Sequence, residues 1–149
     1  MHAIRTEALI PASPDAVWRV LTDFNRFHEW NPLNIEARGE ARLGARIPMT
    51  FLNPAKPGAT VRMTVKITRF EPNRALEWLG HVPLIFRGLH IFHLVPEGAG
   101  TRLLHGEDQS GLIAQGNSAE RIRTKFVPAY KAMNTAMATR LASLASSLS

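Results

Sequence analysis

The stretch Gly88-Leu-His-Ile-Phe-His-Leu-Val-Pro-Glu-Gly-Ala-Gly-Thr-Arg-Leu-Leu-His-Gly-Glu-Asp-Gln-Ser-Gly-Leu112 decides how this chain is built. It reads as two strands around a glycine-rich turn. A two-residue turn at Gly98-Ala99 sets Glu97 opposite Gly100, and pairing then runs outward from there. Leu94 faces Leu103, Phe92 faces His105 and His90 faces Glu107. Facing residues share one side of a sheet, with Cβ atoms about 4.5–5.5 Å apart. A slip of one residue would dissolve the set. Two histidines and a glutamate therefore stand where a plain hairpin calls for apolar residues. The other side, with Leu89, Ile91, Val95 and Leu104, is apolar too, so the hairpin alone does not say which side is interior.

Upstream the pattern is strand-like. Ala45 to Leu52 carries Ile47, Met49 and Phe51 at period two, and Thr60 to Phe70 carries Val61, Met63, Val65 and Ile67. Arg74 to His81 is shorter, with Leu76 and Trp78 on one face. Asn53-Pro-Ala-Lys-Pro-Gly58 and Glu71-Pro-Asn73 supply turn chemistry between them. Strands at this spacing, without intervening helices, predict an antiparallel meander. A further strand is predicted over Ile4 to Ile10. It leads into a helix start: Ser13 to accept from orphan N–H groups, Pro14 at the first helical position, and Asp15 to complement the dipole. Val17, Trp18, Leu21 and Phe24 form that helix's apolar face. A second short helix over about Asn25 to Trp30 stops before Asn31-Pro32.

After Gly111 the period changes to three and four. Ile122, Phe126, Tyr130, Met133, Met137, Leu141, Leu144 and Leu148 mark the apolar stripe of a long helix capped by Asn117 or Ser118. Pro128 inside it should kink or split it. A meander with one buried face closes on such a helix, and Phe126, Tyr130, Met133 and Met137 would look into any gap left between them.

The totals fit one soluble domain over residues 1–149, with 45% hydrophobic and 20% charged residues and no cysteine. The start, Met1-His-Ala-Ile-Arg-Thr-Glu, lacks an apolar signal region, and no apolar run reaches a membrane span. The expectation is a cytoplasmic protein without integral membrane association. The net charge of +6 comes from scattered basic residues with no aromatic interleaving, which argues against nucleic acid as the partner.

Assembled, these residues resemble the START-related helix-grip superfamily (SRPBCC), most closely its polyketide cyclase/dehydrase-like group. Three segments carry the resemblance: Ile10-Pro-Ala-Ser-Pro-Asp-Ala-Val-Trp-Arg-Val-Leu-Thr-Asp-Phe24 with Phe27-His-Glu-Trp-Asn-Pro32; the hairpin from Gly88 through Leu112; and Tyr130-Lys-Ala-Met-Asn134. Nearly the whole chain is covered in the family's order, and Pro128 departs from the family's helix. The resemblance implies an α+β helix-grip fold. About seven antiparallel strands would curl around the C-terminal helix and an apolar cavity, with two short helices after the first strand. It also implies that the position of Phe92 points inward, making His90, His105 and Glu107 the polar end of that cavity. The family includes carriers, cyclases and aromatases, so it implies function only loosely.

Two readings of the polar set stay open. It orients a ligand's polar group or acts as general acid and base, with Glu107 fixing the tautomer of His90; or the three residues satisfy one another and water. Trp30 and Asn31, near the family's cavity entrance, and Trp78, Asn134 and Met137 are further candidates for the lining. No metal site is expected, since His90 and His93 point to opposite faces and no His-Glu-x-x-His or cysteine is present. Ser110-Gly111 is not a nucleophile elbow, and no glycine-rich phosphate loop is found, so no cofactor is expected. The leading expectation is binding of a small hydrophobic or amphipathic molecule, such as a lipid, polyketide or aromatic metabolite. The alternatives are a cofactor-independent cyclase, dehydratase or aromatase using His90 and Glu107, and an interaction module, homodimeric or chaperone-linked, with a vestigial cavity.

Overall fold

The computed structural model describes residues Met1–Ser147, and Leu148 of the predicted stripe lies outside them. Seven antiparallel strands form one sheet: β1 (His2–Ile10), β2 (Asn34–Ala37), β3 (Arg46–Leu52), β4 (Thr60–Glu71), β5 (Ala75–Val82), β6 (Phe86–Glu97) and β7 (Gly100–Ser110), in the order β1-β7-β6-β5-β4-β3-β2. The meander from β2 to β7 is joined by short turns, and β1 adds to its far edge beside β7. This curled sheet grips a C-terminal helix, which is the helix-grip architecture.

The β6–β7 register is the one the turn chemistry requires. Glu97 pairs with Gly100, Leu94 with Leu103, Phe92 with His105 and His90 with Glu107. Gly98, at φ 58°, supplies the left-handed residue of the turn. Gly88, His90, Phe92 and Leu94 are buried along β6, and Leu103, His105, Glu107 and Gln109 along β7. The side of the hairpin that carries the polar residues is thus the inner one. β1 extends the same layer, placing Ile4 beside Glu107 and Thr6 beside His105.

Between β1 and β2 the chain forms α1 (Pro14–Thr22) and a 3-10 helix (Phe24–Glu29). Ser13 caps α1, its hydroxyl accepting from the Ala16 N–H at 3.2 Å, and Val17, Trp18, Val20 and Leu21 turn into the core. Strand β2 is four residues long and its pairing with β3 is irregular. It has no clear period-two signature, which is why the sequence pattern did not single it out.

After β7 come α2 (Leu112–Gln115), α3 (Ala119–Arg121), a π-helical turn (Ile122–Phe126) and α4 (Val127–Ser147). Ser118 is the cap, accepting from the Arg121 N–H at 3.0 Å. Pro128 neither ends the helix nor stands in a regular one. The wider turn ahead of it, closed by Val127 N–H donating to the Ile122 carbonyl, brings the chain to the proline. Ile122 and Phe126 stay buried, followed by Tyr130, Met133, Asn134, Met137 and Leu141. Leu144 corrects the predicted stripe: it is exposed, beyond Leu141, the last buried residue in the described part of the helix.

Candidate functional site

The inner ends of β6 and β7 meet α4 in a cluster of polar and aromatic side chains. His90, Phe92, His105 and Tyr130 stack with ring centroids 4.4–5.2 Å apart. Trp78, opposite His90 on β5, packs on both His90 and Phe92. Through this aromatic layer runs a chain of hydrogen bonds. His90 Nε2 and His105 Nε2 are 2.7 Å apart, His105 Nδ1 is 2.7 Å from Asn134 Oδ1, and Asn134 Nδ2 donates to Thr6 Oγ1 at 2.9 Å. The Thr6 hydroxyl donates to the His105 carbonyl at 2.7 Å.

This chain fixes the protons. The Thr6 hydrogen is committed to a carbonyl, so Thr6 must accept from the amide nitrogen of Asn134. Asn134 then offers its oxygen to His105, whose Nδ1 must carry hydrogen. A neutral His105 has a bare Nε2, so His90 Nε2 must be the donor, and the lone pair of a neutral His90 lies on Nδ1. Both imidazoles are held neutral. Burial lowers His90 well below its ordinary value, with His105 adding to the effect, and burial lowers His105 to about 4 against the raising hydrogen bond of Asn134. The expectation that Glu107 fixes the His90 tautomer is therefore corrected. Its Oε2 stands 4.0 Å from His90 Nδ1, beyond hydrogen-bond reach, and Asn134 sets the tautomer through His105.

Glu107 is the group in the cluster that titrates near neutrality. Burial pushes its carboxyl up to about 7, opposed by hydrogen bonds from Tyr130 and Gln109 and aided by the charge of Asp108. The Tyr130 hydroxyl donates to Oε2. Burial, then the Glu107 charge, raises Tyr130 well above the ordinary phenol value, so it stays a donor. Oε1 lies over Gly88: a Cβ built there would come within 2.2 Å of it and 2.6 Å of the Phe86 ring. Gly88 pairs with Gly80 on β5, whose Cβ position is filled by the Met63 thioether. Two side-by-side glycines thus leave a floor of bare backbone, and the ends of Glu107, Phe86 and Met63 occupy the space above it.

The other candidates divide. Trp78, His90, Phe92, His105, Glu107, Tyr130 and Asn134 come together as one cluster. Phe126, Met133 and Met137 are buried in the core along α4. Trp30 packs edge-on against Phe27, and Asn31 Oδ1 accepts from the Leu33 and Asn34 N–H groups at 2.9 Å, so Asn31 shapes the turn into β2. Asn31 Nδ2 and Asn34 Oδ1 are buried without a hydrogen-bond partner. At the cluster, the space above the glycine floor is taken up by the ends of Glu107, Phe86 and Met63. Two prominent surface depressions are lined by Glu36, Arg38 and Met63 and by Pro14, Asn73 and Leu94, and neither is lined by His90, His105 or Glu107. Sequence reasoning passed over Thr6, Phe86, Gly88 and Gln109. Thr6 and Gln109 were findable as polar members of the inner rows Ile4-x-Thr6 and His105-x-Glu107-x-Gln109.

Comparison with known proteins decides the family. The model of the polyketide cyclase/dehydrase and lipid transport family matches residues 1–146. The chain belongs to that family. Its description covers cyclase chemistry and lipid transport alike and does not choose between them. Among solved structures, a START superfamily protein from Mycobacterium smegmatis aligns with TM-score 0.79 and 15% identity, over 97% of this chain and 99% of that one. TTHA0849 from Thermus thermophilus aligns with TM-score 0.77 and 18% identity, over 96% and 99%. DynU16, a protein of the dynemicin biosynthetic locus, aligns with TM-score 0.69 and 15% identity, over 93% of this chain and 46% of that one. At such identities the likeness is one of fold. A comparison with curated proteins finds no match.

Proposed function

We propose that this member of the family binds a small hydrophobic or amphipathic molecule between the sheet and α4, with Glu107 receiving its polar group. The observation that carries the reading is Glu107 itself: a carboxyl buried in an aromatic and aliphatic shell, with no cationic partner, poised near neutrality above the bare backbone of Gly88. As an acid it donates to a ligand carbonyl or carboxylate, and as a carboxylate it accepts from a hydroxyl. Phe86 and Met63 fill the glycine floor with the ends of rotatable side chains, so a ligand enters by displacing them without breaking the sheet. Apolar burial supplies the affinity and the polar contact sets the orientation.

Native mass spectrometry of the freshly purified protein, followed by organic extraction and by titration with the fluorescent fatty acid cis-parinaric acid, tests this. The expected result is a discrete bound molecule or saturable fatty-acid binding, weakened about 10–100-fold by Glu107→Gln or His90→Asn, as for losing one hydrogen bond to a charged or buried group. Affinity unchanged in both variants would remove the site from consideration. A second reading, a cofactor-independent cyclase or dehydratase, is favoured by the His90 Nδ1 lone pair facing Glu107, an acceptor beside an acid. It predicts a pH–rate profile governed by a group near 7 that disappears in Glu107→Gln.

A further inference from the structure

At the end of the sheet nearest Glu107, five large apolar side chains face outward. Val82, Leu84 and Ile85 sit at the β5–β6 turn, and Leu112 and Ile113 open α2. Leu84 is 86% exposed, and the others range from 40% to 61%. Two backbone bonds join the groups into one platform: Leu112 N–H donates to the Leu84 carbonyl at 3.1 Å, and Ile113 N–H to the Ile85 carbonyl at 2.9 Å. Leu84 is held at φ 65°, a conformation that costs a branched side chain energy and that glycine or asparagine would take more cheaply. Burial does not repay that cost, because Leu84 is hardly buried. Strain at an exposed apolar residue points to a use outside the folded chain.

Charge at the same end indicates the partner. Arg87 follows the β5–β6 turn, and Arg121, Arg123 and Lys125 follow α2 within 13 residues of Leu112, all four exposed. Tyr130 stands at the level of Glu107 and Asn134 at that of His105, so the start of the long helix lies toward Ser110, beside the platform. Among the described residues these four cations form no ion pair, and Glu120 is the one acid between Ile113 and Lys125. No helix among the described residues is long and apolar enough to cross a membrane. We propose that this end of the protein docks on an anionic lipid surface, with Leu84, Ile85, Leu112 and Ile113 entering the headgroup boundary and Arg87, Arg121, Arg123 and Lys125 resting on the lipid phosphates. A protein partner or a second copy would also cover the apolar residues; the unpaired cations beside them favour the lipid.

Vesicle co-sedimentation of the full chain tests the proposal, using phosphatidylcholine alone and phosphatidylcholine mixed with phosphatidylglycerol. The expected result is binding to the mixed vesicles only, weakened by salt. The Leu84→Asp/Ile113→Asp and Arg121→Glu/Arg123→Glu pairs should each reduce it at least tenfold while melting like the parent. Both replaced sets are exposed, so a folded control is expected, and cis-parinaric acid binding in solution should persist in both pairs. Absence of sedimentation with mixed vesicles, or equal sedimentation by the Asp pair, overturns the proposal. So does a dimer in light scattering that the Asp pair dissolves without any vesicle binding, which would assign the platform to a second copy. Docking and internal ligand binding thus fail separately.

Discussion

Leu84 is the residue whose cost is plainest. A left-handed conformation is unfavourable by about 1–2 kcal/mol for an ordinary side chain, and asparagine tolerates it better. Leu84→Asn is therefore expected to raise unfolding free energy by about 1 kcal/mol in urea denaturation while weakening vesicle binding; a destabilised variant would contradict the strain argument. Asn134 works in the opposite sense. It joins α4 to β1 and β7 and decides which nitrogen of each imidazole carries hydrogen. Asn134→Ala strands the His105 Nδ1–H and lets the tautomer pair reverse, so a loss of about 1–3 kcal/mol is expected, with a shift of the His90 ring resonances in NMR. A purely packing role would leave those resonances in place. The sequence made the inward polar residues visible through the hairpin arithmetic, but not their bonds. Whether Glu107 or His105 holds His90 depends on side-chain reach across strands, which the spacing of letters does not carry.

At the scale of elements, the two buried glycines of β6 and β7 differ in what stands against them. A Cβ at Gly88 meets the movable ends of Glu107 and Phe86, whereas a Cβ at Gly106 meets the main-chain carbonyl of Ile4 at 2.2 Å. Gly88→Ala should cost about 1–3 kcal/mol, the range for overpacking that side chains can relieve. Gly106→Ala should cost more, because relief requires β1 to part from β7; denaturation midpoints in the reverse order would refute this ranking. The strands of the meander and the helix starts at Ser13 and Ser118 were legible because period and cap chemistry act locally. Strand β2 and the π turn were not. The first exists through pairing with β3, and the second through the joint demands of Pro128 and the buried Ile122 and Phe126, neither of which has a local signature.

Over the whole molecule, the cluster couples folding to pH in two directions. His105 and His90 bind protons less well folded than unfolded, so their contribution is complete above about 6.5 and is lost as pH falls toward 4. Glu107 binds its proton more tightly folded, so its contribution is complete below 4.5 and is lost as pH rises through about 7. Between 4.5 and 6.5 the two imidazoles outweigh the one carboxyl, and stability should rise with pH. Glu107→Gln removes the opposing contribution, so urea unfolding at pH 5 and 6 should show a steeper rise in the variant, by about 1.4 kcal/mol per pH unit; parallel profiles would mean Glu107 titrates normally. The sheet order has a mechanical consequence. The first two strands of the chain are its two opposite edges, and the covalent path from Pro11 through Leu33 joins them like a bowstring across a bow. That string leaves β1 at the Gly98 end, where Ile10 pairs with Thr101, and rejoins the sheet at the opposite end, where Asn34 pairs with Phe51, so flattening the arc at either end stretches it.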